Sequence, residues 1–199
     1  PEIEEAQWEG FVGGVGWDVG ANLGQSIEMM RSRFGHVHCF EPGVEALRIL
    51  GRRTALDVTV WPLALTAQDG PVELLALPEK LQTGQLVTSA WPVEWSESGA
   101  EVRKVCGMRA TSMARLIGAP DFMKIDVEGH EVQVLRGALR LLTRSRPGLL
   151  IEIHSVELGV TARSFLESLA YQVTEIRHPY YEVGSDFWRG HYWLRAVGR

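Results

Sequence analysis

The sequence predicts an α/β fold built on a largely parallel sheet, and three observations carry that prediction. From Val12 onward, short apolar runs alternate with longer amphipathic ones. The same alternation starts again at Phe122, as expected for strands joined by right-handed helical crossovers. The last part of the chain drops the helical rhythm and leaves two strand-like runs, which together make a hairpin.

The elements follow in order. Val15–Val19 reads as the first strand, and Asn22–Phe34 as a helix with Leu23, Ile27, Met30 and Phe34 on one face. Val37–Phe40 is the second strand, closed by Glu41-Pro42-Gly43, and Val44–Leu56 a helix turning Leu47 and Leu50 inward. Val58–Pro62 is the third strand. Residues 66–107 break the alternation: Gly70-Pro71, Pro78 and Pro92 punctuate β-rich pieces, so this stretch reads as an insertion of short strands and loops. The pattern resumes with a strand at Phe122–Val127, a helix at Glu131–Thr143, a strand at Leu149–His154 and a helix over Thr161–Leu169. Tyr171–Arg177 and His191–Val197 form the hairpin, which places an antiparallel strand at the end of the sheet. One domain over residues 1–199 accommodates all of this.

Composition narrows the function. A net charge of -5 gives no basic face for a polyanion, and Arg140, Arg144 and Arg146 alternate with apolar residues as on a solvated helix. No nucleic-acid partner is expected. No apolar run reaches bilayer length, and the acidic start PEIEEAQWEG lacks a signal-peptide pattern, so no membrane partner is expected either. Cys39 and Cys106 stand far apart without metal-ligand spacing, which fits a reducing cytoplasm.

The densest stretch is GWDVGANLGQS, residues 16–26. Gly20 and Gly24 follow the first strand, at the place where an open α/β sheet receives ligands. Asp18 precedes the turn, and Glu41 ends the next strand about 20 residues later, a spacing suited to ribose hydroxyls. A dinucleotide site wants G-x-G-x-x-G at this turn to meet a pyrophosphate. Here an acid stands where a diphosphate would be repelled. It suits a cation instead, and S-adenosylmethionine combines an ammonium, a sulfonium and a ribose. The bland alternative is that the glycines only allow close packing of helix on strand.

A second stretch, FMKIDVEGHEVQVLRG at residues 122–137, puts Lys124, Asp126 and Glu128 on one side of a strand. His130 and Glu131 open the following helix, and the next strand ends IEIH, with Glu152 and His154 sharing a side.

Taken in order, DVGANLGQS, FEP, KIDVEGHEVQVLRG and IEIH resemble the FkbM-type S-adenosylmethionine-dependent methyltransferases over roughly residues 15–175. The resemblance implies the class I, Rossmann-like methyltransferase fold: a three-layer sandwich around a mostly parallel seven-stranded sheet whose last strand is antiparallel. It implies S-adenosyl-L-methionine as cofactor and a hydroxyl oxygen, often on a sugar or natural product, as acceptor. By motif position, Asp18, Gly20, Asn22, Gly24 and Glu41 would hold the cofactor, Ala64 would lie near the adenine, and Asp126 beside the transferring methyl. The absence of an Asn/Asp-Pro-Pro-Tyr run where IDVEG stands also tilts the acceptor towards oxygen.

For a hydroxyl acceptor the expected bases are His154 and Asp126, then His130, since histidine ordinarily titrates near about 6.5. Glu128 would touch substrate. Asp126, Glu128, Glu152 and His154 also offer ligands to Mg²⁺ or Mn²⁺, although their spacing matches no recognised metal motif. Trp91 and Trp95 in the insertion, with Tyr180, Tyr181, Phe187 and Trp188 in the late loop, supply flat rings for a sugar or aromatic acceptor. Those loops could equally pack on each other or on a second subunit, as in a homo-oligomer. Two rival readings are an NAD(P)-dependent oxidoreductase, for which a Tyr-x-x-x-Lys pair is missing, and a catalytically silent cofactor-binding module.

Overall fold

The computed structural model describes residues 5–53, 55–76, 84–86, 101–177 and 192–198. After a 3₁₀ turn at Glu5–Trp8, β1 (Gly13–Val19) leads through a tight turn to α1 (Ile27–Arg31), β2 (Phe34–Phe40), α2 (Val44–Leu50) and β3 (Val58–Trp61). A β-rich section follows, with β4 (Ala64–Leu65), β5 (Gly70–Ala76), β6 (Gly84–Leu86) and β7 (Glu101–Met108). The second half runs α3 (Ala110–Ile117), β8 (Phe122–Ile125), α4 (Glu131–Gly137), α5 (Leu139–Arg144), β9 (Gly148–Ile153), α6 (Val156–Ser168), β10 (Tyr171–Arg177) and β11 (Tyr192–Gly198).

The main sheet has seven strands in the order β3-β2-β1-β8-β9-β11-β10. Strands β3, β2, β1, β8 and β9 are mutually parallel, and β11 runs antiparallel to both of its neighbours. The chain thus moves outward from β1 to β3, then crosses back to β8 on the other side of β1. That reversal opens a crevice at the carboxyl ends of β1 and β8, where such sheets bind ligands.

Alternation along the strands divides the core in two. Trp17, Val19, Met123, Ile125, Ile151 and Leu194 pack on one face with Leu135, Leu142 and Leu166 of α4, α5 and α6. On the other face Phe34, Val37, Cys39, Phe122 and Trp193 pack with Ile27, Met30 and Leu50 of α1 and α2. Helices on both faces complete the expected three layers. The β-rich section closes into its own four-stranded sheet, β4-β7-β5-β6, tied to the main body by Arg103, whose guanidinium lies 2.7 Å from Glu45 on α2.

Several element boundaries differ from the sequence pattern. The helix expected over Asn22–Phe34 shrinks to α1, because Asn22 and Gly24 take left-handed φ values of 49° and 82° and Phe34 begins β2. Gly51 stops α2 at Leu50, so Ala46 and Leu50, rather than Leu47, are its buried residues. The single helix expected over Glu131–Thr143 is two, α4 and α5, broken where Gly137 presses against the Thr66 backbone carbonyl. Helix α3 is absent from the sequence reading, although Ala110, Met113, Ala114 and Ile117 form an apolar face at helical spacing that packs on the core. Helix α6 starts before Thr161, at Val156, where the Ser155 hydroxyl accepts from the Leu158 amide at 3.2 Å. The hairpin is present, but its antiparallel strand is one place in from the edge: β11 inserts between β9 and β10. Among the described residues no helix is long and apolar enough to cross a membrane.

Candidate active site

The turn after β1 is fastened to the ends of the neighbouring strands. The Gly20 and Ala21 amides both donate to the Phe40 carbonyl, at 3.0 and 3.1 Å. Glu41, one residue beyond β2, accepts from the Asn22 amide at 2.9 Å and from the Gly43 amide at 2.6 Å, one to each carboxylate oxygen. Burial pushes the Glu41 carboxyl up to about 7, against the lowering effect of those two amides.

Gly20 answers to sterics and to position together. Its φ is 79°, and a Cβ there would overlap the Asp126 backbone carbonyl. The turn therefore packs directly on the segment that carries Asp126. We expect Gly20→Ala to cost about 4 kcal/mol, combining backbone overlap with left-handed strain. Chemical denaturation checks this, and a loss under about 1 kcal/mol would show that the two segments move independently. Gly24, also left-handed, is packed on Ile27 and Leu50.

Strand β8 ends at Ile125, so Asp126 and Glu128 lie beyond the pleat, and Glu128 takes a left-handed φ of 52°. That turn gathers the carboxylates. Lys124, only 3% exposed, sends its ammonium to Asp126 Oδ2 at 3.1 Å and to Asp18 Oδ1 at 3.5 Å, with the Trp193 ring centroid 5.9 Å away. Burial favours the neutral amine, but Asp126 and Asp18 outweigh it and raise the lysine pKa. Burial likewise works against charge on Asp126; Lys124 and then His154 overcome it and hold that carboxyl below its ordinary value. Asp18 is raised, by burial first, with Lys124 opposing.

His154, the residue after β9, faces the same group. Its Nδ1 lies 2.8 Å from Glu131 Oε1, and its Nε2 lies 3.8 Å from Asp126 Oδ1 and 3.5 Å from Glu128 Oε2. Burial disfavours the imidazolium, yet Glu131, Asp126 and Glu128 push its pKa up to about 10. Glu152, in β9, is pushed up to about 8 by burial and by the Asp126 charge. At neutral pH the resting site thus holds Asp126 as an anion and His154 as a cation. The sequence expectation of a histidine poised near its ordinary value is not met.

The fold brings Asp18 and Asp126 onto Lys124, and Asp126 and Glu128 onto His154, with Gly20 against the Asp126 backbone and the Asn22 amide hydrogen-bonded to Glu41. His130 stands apart: its Nε2 pairs with the Thr66 hydroxyl at 2.9 Å, its buried Nδ1 has no hydrogen-bond partner among the described residues, and burial lowers its pKa. Ala64 is buried in β4. Trp91, Trp95, Tyr180, Tyr181, Phe187 and Trp188 lie outside the described residues. Glu131 was read from sequence only as a helix-opening charge. It is fully buried and holds both the Gly129 amide and His154, each at 2.8 Å. Its helix-start position concealed that role, because an acid there is ordinarily solvated.

A seven-stranded sheet with this order and a carboxylate-rich crevice beside β1 defines the class I methyltransferase fold. The methyltransferase FkbM domain profile matches residues 18–173, and the chain belongs to that family. A curated relative, the hexuronic acid methyltransferase AglP of Haloferax volcanii, is 26% identical over 156 residues, covering 77% of this chain and 59% of its own length. The crystal structure of methyltransferase FkbM from Methylobacillus flagellatus KT superposes with a TM-score of 0.66 at 20% identity, over 93% of this chain and 44% of that one. A precorrin-6y C5,15-methyltransferase from Geobacter metallireducens GS-15 gives 0.54 at 16% identity, over 98% and 85%. The chain therefore spans little more than half of the curated relative and under half of the FkbM structure.

Proposed function

We propose that the chain transfers a methyl group from S-adenosylmethionine to a hydroxyl of a sugar, glycan or natural product, with a uronic acid residue the first acceptor class to test. The observation that carries this is the crevice itself: Asp18, Asp126, Glu128 and Glu131 meet around one lysine and one histidine at the strand ends. An excess of negative charge there favours a cationic cofactor over a diphosphate. Asp18 supports the fit, being fully buried, with its carboxylate 3.5 Å from the Lys124 ammonium and without a shorter hydrogen bond among the described residues. The name of the curated relative, a hexuronic acid methyltransferase, supports the sugar acceptor.

Bound in this crevice, S-adenosylmethionine would supply an electrophilic methyl on a sulfonium leaving group. Glu41 would accept the ribose hydroxyls, and Asp18 would face the cationic end. Asp126, held as an anion by Lys124, takes the hydrogen bond and then the proton of the acceptor hydroxyl. The His154 imidazolium sits behind Asp126 and stabilises its charge, so its role is positioning.

The testing experiment is calorimetric titration of S-adenosylhomocysteine, with NADH as the contrasting ligand, into wild type and Glu41→Gln. We expect S-adenosylhomocysteine alone to bind, and its affinity to rise about fivefold from pH 6 to pH 8 as Glu41 loses its proton, since a charged acceptor hydrogen bond exceeds a neutral one by about 1 kcal/mol. The variant should bind at least tenfold more weakly, without that rise. The free protein shows the opposite slope: a carboxyl raised to about 7 keeps its proton in the native state after the unfolded chain has released its own near 4.5, so stability falls with pH between those values. Binding of NADH alone would overturn the methyltransferase reading.

A further inference from the structure

We infer that Asp126, Glu152 and His154 form a binding site for a hard divalent cation of the Mg²⁺ or Mn²⁺ kind, with the acceptor hydroxyl as an additional ligand. One ligand atom from each residue lies within 4.8 Å of the other two. Around an octahedral ion with bonds of about 2.1 Å, ligand atoms stand about 3 Å apart when adjacent and about 4.2 Å apart when opposite. Small side-chain rotations close the difference. Two carboxylate oxygens and one imidazole nitrogen suit Mn²⁺ or Mg²⁺ better than a thiophilic metal.

Three features separate this arrangement from a solvated acidic patch. Asp126 divides its oxygens: Oδ2 goes to Lys124 at 3.1 Å and Oδ1 faces His154 Nε2 at 3.8 Å, and Glu152 hydrogen-bonds the same carboxylate, so the three proposed ligands are already in mutual contact. Glu131 then orients the imidazole through Nδ1 at 2.8 Å, which directs Nε2 towards Asp126. A carboxylate–imidazole pair of this kind is the usual outer support of a metal-bound histidine. Finally, among the described residues the fully buried Glu131 Oε2 has no hydrogen-bond partner, and buried Asp18 meets the Lys124 ammonium only at 3.5 Å. An ion bound here takes the place of the Nε2 proton of the His154 imidazolium, since an imidazole must give up that proton to ligate a metal.

The use of the cation rests on the methyl-transfer reading, but its binding does not. An ion held by three protein ligands keeps positions for a hydroxyl or a vicinal pair of them and lowers the pKa of whatever oxygen it takes. Mn²⁺ titration into the whole chain, followed by electron paramagnetic resonance of the free ion and by thermal shift, tests the site directly. We expect one Mn²⁺ per chain with a dissociation constant below about 100 μM and competition by excess Mg²⁺. Affinity should be at least tenfold weaker in His154→Ala and in Glu152→Gln, and unchanged in the distant Glu73→Gln. S-adenosylhomocysteine binding by the two site variants serves as the folding control. Loss of Mn²⁺ binding with that control intact supports the proposal. An absence of saturable Mn²⁺ binding up to 1 mM in wild type, or equal binding by His154→Ala, overturns it. Failure of S-adenosylhomocysteine to bind wild type while Mn²⁺ still saturates would sink the methyltransferase reading and leave the cation site standing.

Discussion

Asp126→Asn should lower the rate of methyl transfer about 10²- to 10⁴-fold while leaving S-adenosylhomocysteine affinity within about threefold. The amide keeps the size of the side chain and one oxygen for the Lys124 ammonium, which now sits 3.1 Å from Oδ2. What it loses is the anion that Lys124 and His154 maintain in the resting site. An acceptor hydroxyl would still find a hydrogen-bond partner, so the acceptor KM should rise only a few-fold and the deficit should fall on kcat. Single-turnover transfer of labelled methyl to a panel of uronic acids and neutral sugars measures both. A residual rate within threefold of wild type would remove Asp126 as the proton acceptor and shift attention to Glu128, 3.5 Å from His154 Nε2.

The two halves of the site were unequally legible in the sequence. The half proposed to hold the cofactor could be read because its residues are local: Asp18, Gly20 and Asn22 lie within a single turn, and Glu41 closes the adjoining parallel strand. The glycines were ambiguous between ligand and packing, and Gly20 shows why. The close contact with Asp126 that forbids a Cβ is also what brings the turn after β1 against the segment carrying Asp126. The cluster around Asp126 and His154 is assembled from residues distant in sequence, and there spacing misleads. Period-two alternation correctly grouped Lys124 with Asp126 but assumed that the strand ran on to Val127, whereas Glu128 leaves it with a left-handed φ. No local signal marks Glu131 as the partner of His154, since the pair exists only once α4 packs beside β9. The ionisation states were hidden for the same reason. A histidine with three carboxylates around it has a different proton affinity from a histidine at the end of IEIH. Boundaries failed where a tertiary contact overrode the helical pattern, as at Gly137 against Thr66.

Lys124→Met should be the most destabilising substitution among the charged residues of the site, costing about 3–5 kcal/mol. Methionine fills most of the lysine volume and can lie against Trp193, so a cavity is not the source of the loss. The source is electrostatic: Asp18, fully buried, and Asp126 would lose the ammonium they share. For a domain of this length the loss corresponds to a fall in Tm of roughly 6–20 °C, readable by calorimetry. The double variant Asp18→Asn/Lys124→Met separates this cause from general disruption. With Asp18 neutral, only Asp126 is orphaned, and Asp126 keeps His154 at 3.8 Å, so at least half of the lost stability should return. If the double variant were as unstable as Lys124→Met alone, the lysine would be holding the fold through packing, and Asp18 would have no claim to a charge kept for a ligand. If instead stability returns while S-adenosylhomocysteine binding does not, the carboxylate of Asp18 is held at a cost to the free protein because the cationic end of the cofactor needs it.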